Sequence, residues 1–323
     1  MALHDRRVVL IGGASLVAVA CAPRAATEAS EAPAFARGFE ALEAKAGGRL
    51  GAFVLDTETG FGMGWRTAER FAHCSSFKLS LAALFLAWAD RGAIDLGERL
   101  HWTGADLLPN SEVTRAHLAS GLTIEELAHA VLVRSDNTGA NVLLKRAGGP
   151  PALTRFWRSL GDEVSRLDRY ETELNVIPPG TELDSTTPQA MAATLAKLVG
   201  GDALGPASRD KLRAWMAEVR TGTRRLRAGL PEGWVVGDKT GTGIGGRADT
   251  YVDIAYAGPP GRKPLIITAY FNPVERSDTI SAEAEAVLAE VGRVAAASLG
   301  SGRVGTFAGE PRAEPFEPRP GLL

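Results

Sequence analysis

Between residues 35 and 46 the apolar positions recur every three or four residues, the period of a helix with one buried face. Short apolar runs follow at 50–56 and 61–65, separated by Thr57-Glu58-Thr59-Gly60, which predicts a strand, a turn and its hairpin partner. From about 68 to 218 the pattern is almost wholly helical and rich in Ala and Leu. Within it, the run from Leu79 to Ala89 is apolar nearly all round and too long for a strand, so it predicts a helix buried mid-domain. Strand patterns return at 235–239, 250–257 and 265–271, and a closing helix is expected over 281–299. Strands thus come from both ends of the chain and helices from its middle. The expected fold is α+β, with an antiparallel sheet flanked by the N- and C-terminal helices. An all-helical lobe over 68–218 is inserted into an α/β lobe made of 33–67 and 219–299, with the active site between the lobes.

The two ends read differently. Arg6-Arg7 precedes an apolar segment over 8–20 that is too short to span a bilayer, so 1–27 reads as an export signal. The segment around the arginine pair fits a loose twin-arginine signal and an ordinary secretory n-region alike. Ala18-Val19-Ala20-Cys21 is a candidate lipoprotein box, with Cys21 as the lipid-anchor site. The expected location is periplasmic, either free or membrane-anchored as a lipoprotein. Residues 300–323 are rich in Gly, Pro and Arg and are expected to be a disordered tail.

Composition narrows the class of function. With 45% hydrophobic residues, 23% charged residues and a net charge of −2, the chain is globular and has no basic patch for nucleic acid. Of two cysteines, Cys21 belongs to the signal and Cys74 is left alone as a small buried hydrophobe, so no disulfide framework is expected. The five histidines are scattered, with no His-x-His pair, so no metal and no other cofactor is expected.

The chemistry begins at the buried helix. Ser75 and Lys78 precede the apolar run and share a helix face. A serine hydroxyl needs a base to take its proton, and a desolvated lysine can be that base. The same spacing recurs at Ser208 and Lys211, where Ser208 reads instead as the N-cap of a charged helix. Two further triplets separate these cases. Ser135-Asp136-Asn137 follows an apolar helical segment, and Lys239-Thr240-Gly241 lies on the first returning strand. Between them, Arg169-Tyr170-Glu171-Thr172-Glu173-Leu174-Asn175 opens a loop that runs through Pro178-Pro179-Gly180 to Asp184. Ser-x-x-Lys, Ser-Asp-Asn and Lys-Thr-Gly in that order are the signature of class A β-lactamases and penicillin-binding proteins.

Over roughly 35–299 the chain resembles a class A serine β-lactamase. The resemblance implies hydrolysis of β-lactam antibiotics by a monomer that takes a small-molecule substrate. It makes Ser75 the nucleophile, Lys78 its proton partner, Ser135 the relay to the departing nitrogen, Lys239 the electrostatic support and Glu171 the base for the hydrolytic water. Asn175 would help hold that water. Substrate would meet Asn137, Asn175, Thr240, Gly241 and Thr242, with the backbone N–H groups of Ser75 and Thr242 as oxyanion hole. Arg225 is the expected anchor for the substrate carboxylate, against the alternative of a solvated basic loop. Arg169 and Asp184 would close the base of the catalytic loop as an ion pair. Asn110 stands where many members carry an aromatic bordering the cleft. Cys74 stands where some members form a disulfide, but the partner position is Gly243. Two rivals share the acyl-enzyme: a D-Ala-D-Ala carboxypeptidase or other penicillin-binding protein, and a sensor that stays acylated. The Glu171 and Asn175 pair argues against the first, and the second would be favoured by a membrane-spanning helix or a fused signalling domain, which the sequence does not show.

Overall fold

The computed structural model describes residues 32–246 and 248–299; the expected export signal, Cys21 and the expected tail lie outside the described residues. The chain opens with α1 (Ala32–Ala46), β1 (Gly48–Asp56) and β2 (Gly62–Trp65). The inserted lobe holds β3 (Phe71–Ala72), α2 (Phe77–Asp90), β4 (Arg99–Leu100), α3 (Glu112–Ala116), β5 (Leu122–Thr123), α4 (Ile124–Val133), α5 (Asn137–Arg146), α6 (Pro150–Ser159), β6 (Ser185–Thr186), α7 (Pro188–Val199) and α8 (Pro206–Glu218). It returns through α9 (Leu226–Gly229) to β7 (Val235–Gly243), β8 (Thr250–Gly258), β9 (Leu265–Pro273) and α10 (Ala282–Leu299).

The sheet has the order β2-β1-β9-β8-β7, antiparallel throughout. Period-two alternation sends Leu50, Ala52, Val54, Ile267 and Ala269 to the face covered by α1 and α10, where Phe39, Leu288 and Val291 pack. Phe53, Val252, Ile254, Ile266 and Tyr270 point to the opposite face, into the core shared with the helical lobe. Because both faces are covered, β8 is buried along its whole length, which is why its sequence reads as one nearly unbroken apolar run.

The expected buried helix is α2. Phe77 through Ala87 are all buried, and the helix packs against α4, α5, α6 and α8. Each large apolar side chain enclosed in this way contributes on the order of 1.5–3 kcal/mol. The lobe also contains two short ladders that the helical pattern conceals, β3 with β6 and β4 with β5, each two residues long. Pairs this short carry no alternation to detect. Ser208 is not an N-cap. Gly205 holds that position with Pro206 following, and the Ser208 hydroxyl donates to Asp90 Oδ1 at 2.6 Å from inside the helix. Proline suits the first helical position because its missing N–H would be unpaired there anyway, and that shifts the helix start upstream of the serine.

Candidate active site

Ser75 sits in a single 3-10 turn, Cys74–Ser76, that feeds directly into α2. One turn later the Lys78 side chain is fully buried, with Nζ 3.0 Å from Ser75 Oγ. The same amine lies 2.9 Å from Ser135 O, 3.4 Å from Ser135 Oγ, 2.5 Å from Asn137 Oδ1 and 2.9 Å from Glu171 Oε1. An ammonium has three protons for these five acceptors, so hydrogen bonds can be exchanged among them without moving a heavy atom far. Glu171 Oε1 is also 3.5 Å from Ser75 Oγ.

Ser135 is brought here by the junction of α4 and α5. A capping box starts α4: Glu126 N donates to Thr123 Oγ1 at 3.2 Å and Thr123 N to Glu126 Oε2 at 2.7 Å. Asp136 caps α5, its buried carboxylate accepting from Gly139 N at 2.8 Å and from Thr114 N and Oγ1 at 3.0 and 2.9 Å. Between the helices Ser135 takes the left-handed conformation, φ +57°. Its hydroxyl accepts from Lys239 Nζ at 3.2 Å as well as from Lys78. Lys239 lies buried on β7 and also donates to Thr240 O at 2.7 Å. Burial, and then the positive charge of Lys78, pull the Lys239 amine down to about 7.

The loop over 169–184 is tied at its base. Arg169 Nε meets Asp184 Oδ2 at 2.6 Å, and Asp184 Oδ1 accepts from Asp168 N and Arg169 N at 2.8 and 2.9 Å. Within the loop, Asn175 Nδ2 donates to Glu171 Oε2 at 2.7 Å, while Asn175 Oδ1 is buried with no hydrogen-bond partner among the described residues. The Glu171 backbone is gripped in both directions by Asn141, which accepts from Glu171 N and donates to Glu171 O, each at 2.9 Å. Asn141 lies on α5, outside the three sequence triplets. The available signal was its place four residues after Asn137, on the same face of α5.

Behind Ser75 runs β7, one of the two edge strands of the sheet. A Cβ added at Gly241 would stand 2.8 Å from His73 O and 3.0 Å from Ser75 N, so only glycine permits this approach. Thr240 and Thr221 share a hydroxyl–hydroxyl hydrogen bond of 2.6 Å. Arg225, expected as an anchor at the cleft, is 2% exposed. Its Nη1 donates to the Gly241 and Val252 carbonyls, both at 2.9 Å, its Nη2 to Thr242 Oγ1 at 2.7 Å, and its Nε meets Glu285 Oε1 at 3.2 Å. It therefore reaches β7 from behind, and Thr242 is its link to the front. Glu285, on α10, gave no sign of this role in the sequence.

Cys74 is a free, fully buried thiol, pushed up to about 12 by burial, so it stays protonated. A Cβ added at Gly243 would lie 3.2 Å from its Sγ. The position opposite Cys74 is therefore adjacent, but a side chain there would also stand 2.8 Å from the Asn175 carbonyl oxygen, and as glycine it forms no bridge.

Comparison with known proteins bears on this constellation. The model of the β-lactamase enzyme family matches residues 34–299. β-Lactamase AST-1 of Nocardia asteroides is 43% identical over 262 residues, 81% of this chain and 83% of that protein. β-Lactamase L2 of Stenotrophomonas maltophilia is 42% identical over 309 residues, 92% of this chain and 100% of that protein. Among solved structures, an ancestral class A β-lactamase (GNCA) superposes with a TM-score of 0.77 at 49% identity, over 82% of this chain and 99% of that one.

Proposed function

The chain belongs to the β-lactamase enzyme family and hydrolyses β-lactams, and we propose that it does so through an acyl-enzyme on Ser75. The observation that carries this reading is the shared amine: Lys78 Nζ stands 3.0 Å from Ser75 Oγ and 2.9 Å from Glu171 Oε1. Ser75 Oγ adds to the lactam carbonyl while its proton passes to the Lys78–Glu171 pair. The oxyanion so formed sits between the N–H groups of Ser75 and Thr242, donors aimed at charge that develops only as the bond forms; losing one costs about 3 kcal/mol of barrier. The C–N bond then breaks, and the lactam nitrogen takes a proton from the Ser135 hydroxyl, which Lys78 Nζ reprotonates with the proton received from Ser75, leaving the ester on Ser75. In the second half, Glu171 takes a proton from a water that Asn175 helps to hold. The resulting hydroxide attacks the ester, and the product leaves as a carboxylate with Ser75 Oγ reprotonated. The Glu171–Asn175 contact of 2.7 Å supports this half of the cycle, which a penicillin-binding protein or a sensor would lack.

The substrate carboxylate is held by Lys239, Thr240 and Thr242, with Arg225 acting through the Thr242 hydroxyl. Asn137 binds the substrate's amide side chain. We also propose export to the periplasm, on the basis of the arginine pair and apolar segment near the N-terminus.

A chromogenic-cephalosporin assay with parallel intact-protein mass tests the cycle. Many turnovers per molecule with little adduct at steady state are expected; one stoichiometric burst with a lasting adduct would instead assign the chain to the non-hydrolysing rivals. The pH profile tests Lys239. An amine lowered to about 7 is charged below that pH and neutral above it. If the charge is needed to hold Ser135 and the carboxylate, kcat/KM falls as pH rises through about 7. In Lys239→Arg the guanidinium stays charged, so this alkaline limb should move upward. A flat wild-type profile to pH 9 would remove Lys239's charge from the mechanism.

A further inference from the structure

The segment at 109–110 binds the Ser135–Asn137 junction at three points. The Pro109 carbonyl accepts from Asn137 Nδ2 at 2.8 Å, the Asn110 carbonyl accepts from Asn137 N at 3.0 Å, and Asn110 Nδ2 donates to Ser135 O at 2.9 Å. On the 109–110 side the first two use backbone carbonyls, which any residue supplies. The third depends on the side chain. It lands on the same carbonyl that accepts Lys78 Nζ at 2.9 Å. A carbonyl oxygen has two lone pairs, and here Asn110 and Lys78 supply one donor each.

Two strained positions meet at this contact. Ser135 has φ +57° and Asn110 has φ +55°. An L-residue in that region costs roughly 1–2 kcal/mol, so the Ser135 backbone needs restraints to stay there. Asparagine tolerates the left-handed region better than other non-glycine residues, so at position 110 it supplies both the backbone geometry and the donor.

We propose that Asn110 is a positioning residue for proton transfer: its side-chain amide locks the Ser135 carbonyl, and so keeps the Ser135 hydroxyl between the Lys78 and Lys239 amines. The inference rests on the acyl-enzyme reading above. Without the amide, Ser135 O keeps only Lys78 among the described residues, and the peptide plane, held on its other side by the long 3.4 Å bond from Asp136 N to Ala130 O, gains freedom to rotate. The hydroxyl then leaves its 3.4 and 3.2 Å contacts with the two lysines. A misplacement of about 1 Å costs up to roughly 100-fold in rate. The loss falls on acylation, where Ser135 passes the proton to the leaving nitrogen. Deacylation uses Glu171 and Asn175 on a different loop, held by Asn141 and Asp184, and keeps its rate.

Two variants separate the amide from the backbone. Asn110→Gly removes the amide and leaves φ +55° accessible. Asn110→Asp keeps the shape but turns an acceptor toward a carbonyl. Single-turnover acylation and deacylation of a penicillin would be followed by intact-protein mass, with kcat, KM, pH profile and thermal midpoint measured alongside. Acylation should fall about ten-fold in the Gly variant and further in the Asp variant, with deacylation within two-fold of wild type. The Asp variant should recover as pH drops and its carboxyl becomes a donor. Acylation at the wild-type rate in both variants would overturn the proposal, as would equal slowing of both half-reactions. Failure of the unmutated protein to acylate at Ser75 would sink the acyl-enzyme reading instead, and that outcome is read from the wild type alone.

Discussion

Ser75→Ala is expected to leave a folded protein that no longer forms any covalent adduct with a penicillin, with kcat reduced roughly 10⁴- to 10⁶-fold, the range for removal of an activated nucleophile. The fold survives because the Ser75 hydroxyl, a single polar atom at the cleft, hydrogen-bonds the Lys78 amine at 3.0 Å and the Glu171 carboxylate at 3.5 Å. These two retain each other at 2.9 Å when it is gone. Substrate can still dock on β7, so weak binding should persist while the mass stays that of the free chain. A penicillin adduct on this variant would place the nucleophile elsewhere.

Glu171→Gln divides the cycle at its midpoint. A neutral amide cannot take a proton from water, so the acyl-enzyme should accumulate to one equivalent per chain and then decay roughly 10²- to 10⁴-fold more slowly than in the wild type, the usual contribution of a general base. The variant also removes the carboxylate from a pair in which both side chains are fully enclosed. Breaking such a pair costs on the order of 3–5 kcal/mol, here moderated by Asn137 Oδ1 and Ser135 O, which remain as acceptors for Lys78. The thermal midpoint should therefore drop, and kinetics belong well below it. The acylation rate of the same variant identifies the first base. A rate near wild type assigns that role to Lys78, and a matching loss assigns it to Glu171. Rapid steady-state turnover would take Glu171 out of deacylation.

The parts of the site that could be seen in advance are local in sequence. Ser75 and Lys78 are one helical turn apart, Ser135, Asp136 and Asn137 are consecutive after a helical segment, and Lys239, Thr240 and Gly241 follow one another on a strand. Residues that act across distance were not visible. Asn141 holds a backbone 30 residues away, and Glu285 meets Arg225 across 60. Neither belongs to a motif, and an asparagine or glutamate on a helix surface has many uses. Ser208 shows the opposite error: its neighbourhood resembles a helix start, but the proline two residues earlier determined where the helix begins.

By itself, then, the sequence determined the α+β order of elements, the helix at the centre and the three motifs, because hydrophobic period and motif spacing are properties of nearby residues. The tertiary structure alone decided what each charge faces. Arg225 lies in a stretch of arginines that the sequence offers as a carboxylate anchor at the cleft, with a solvated loop as the alternative, yet it is buried while Arg224 beside it is 67% exposed. Both arginines meet the Glu285 carboxylate from α10, but the carbonyls of Gly241 on β7 and Val252 on β8 accept from Arg225. A charge can leave water only where partners from several segments arrive together, and that convergence exists only once the chain has folded.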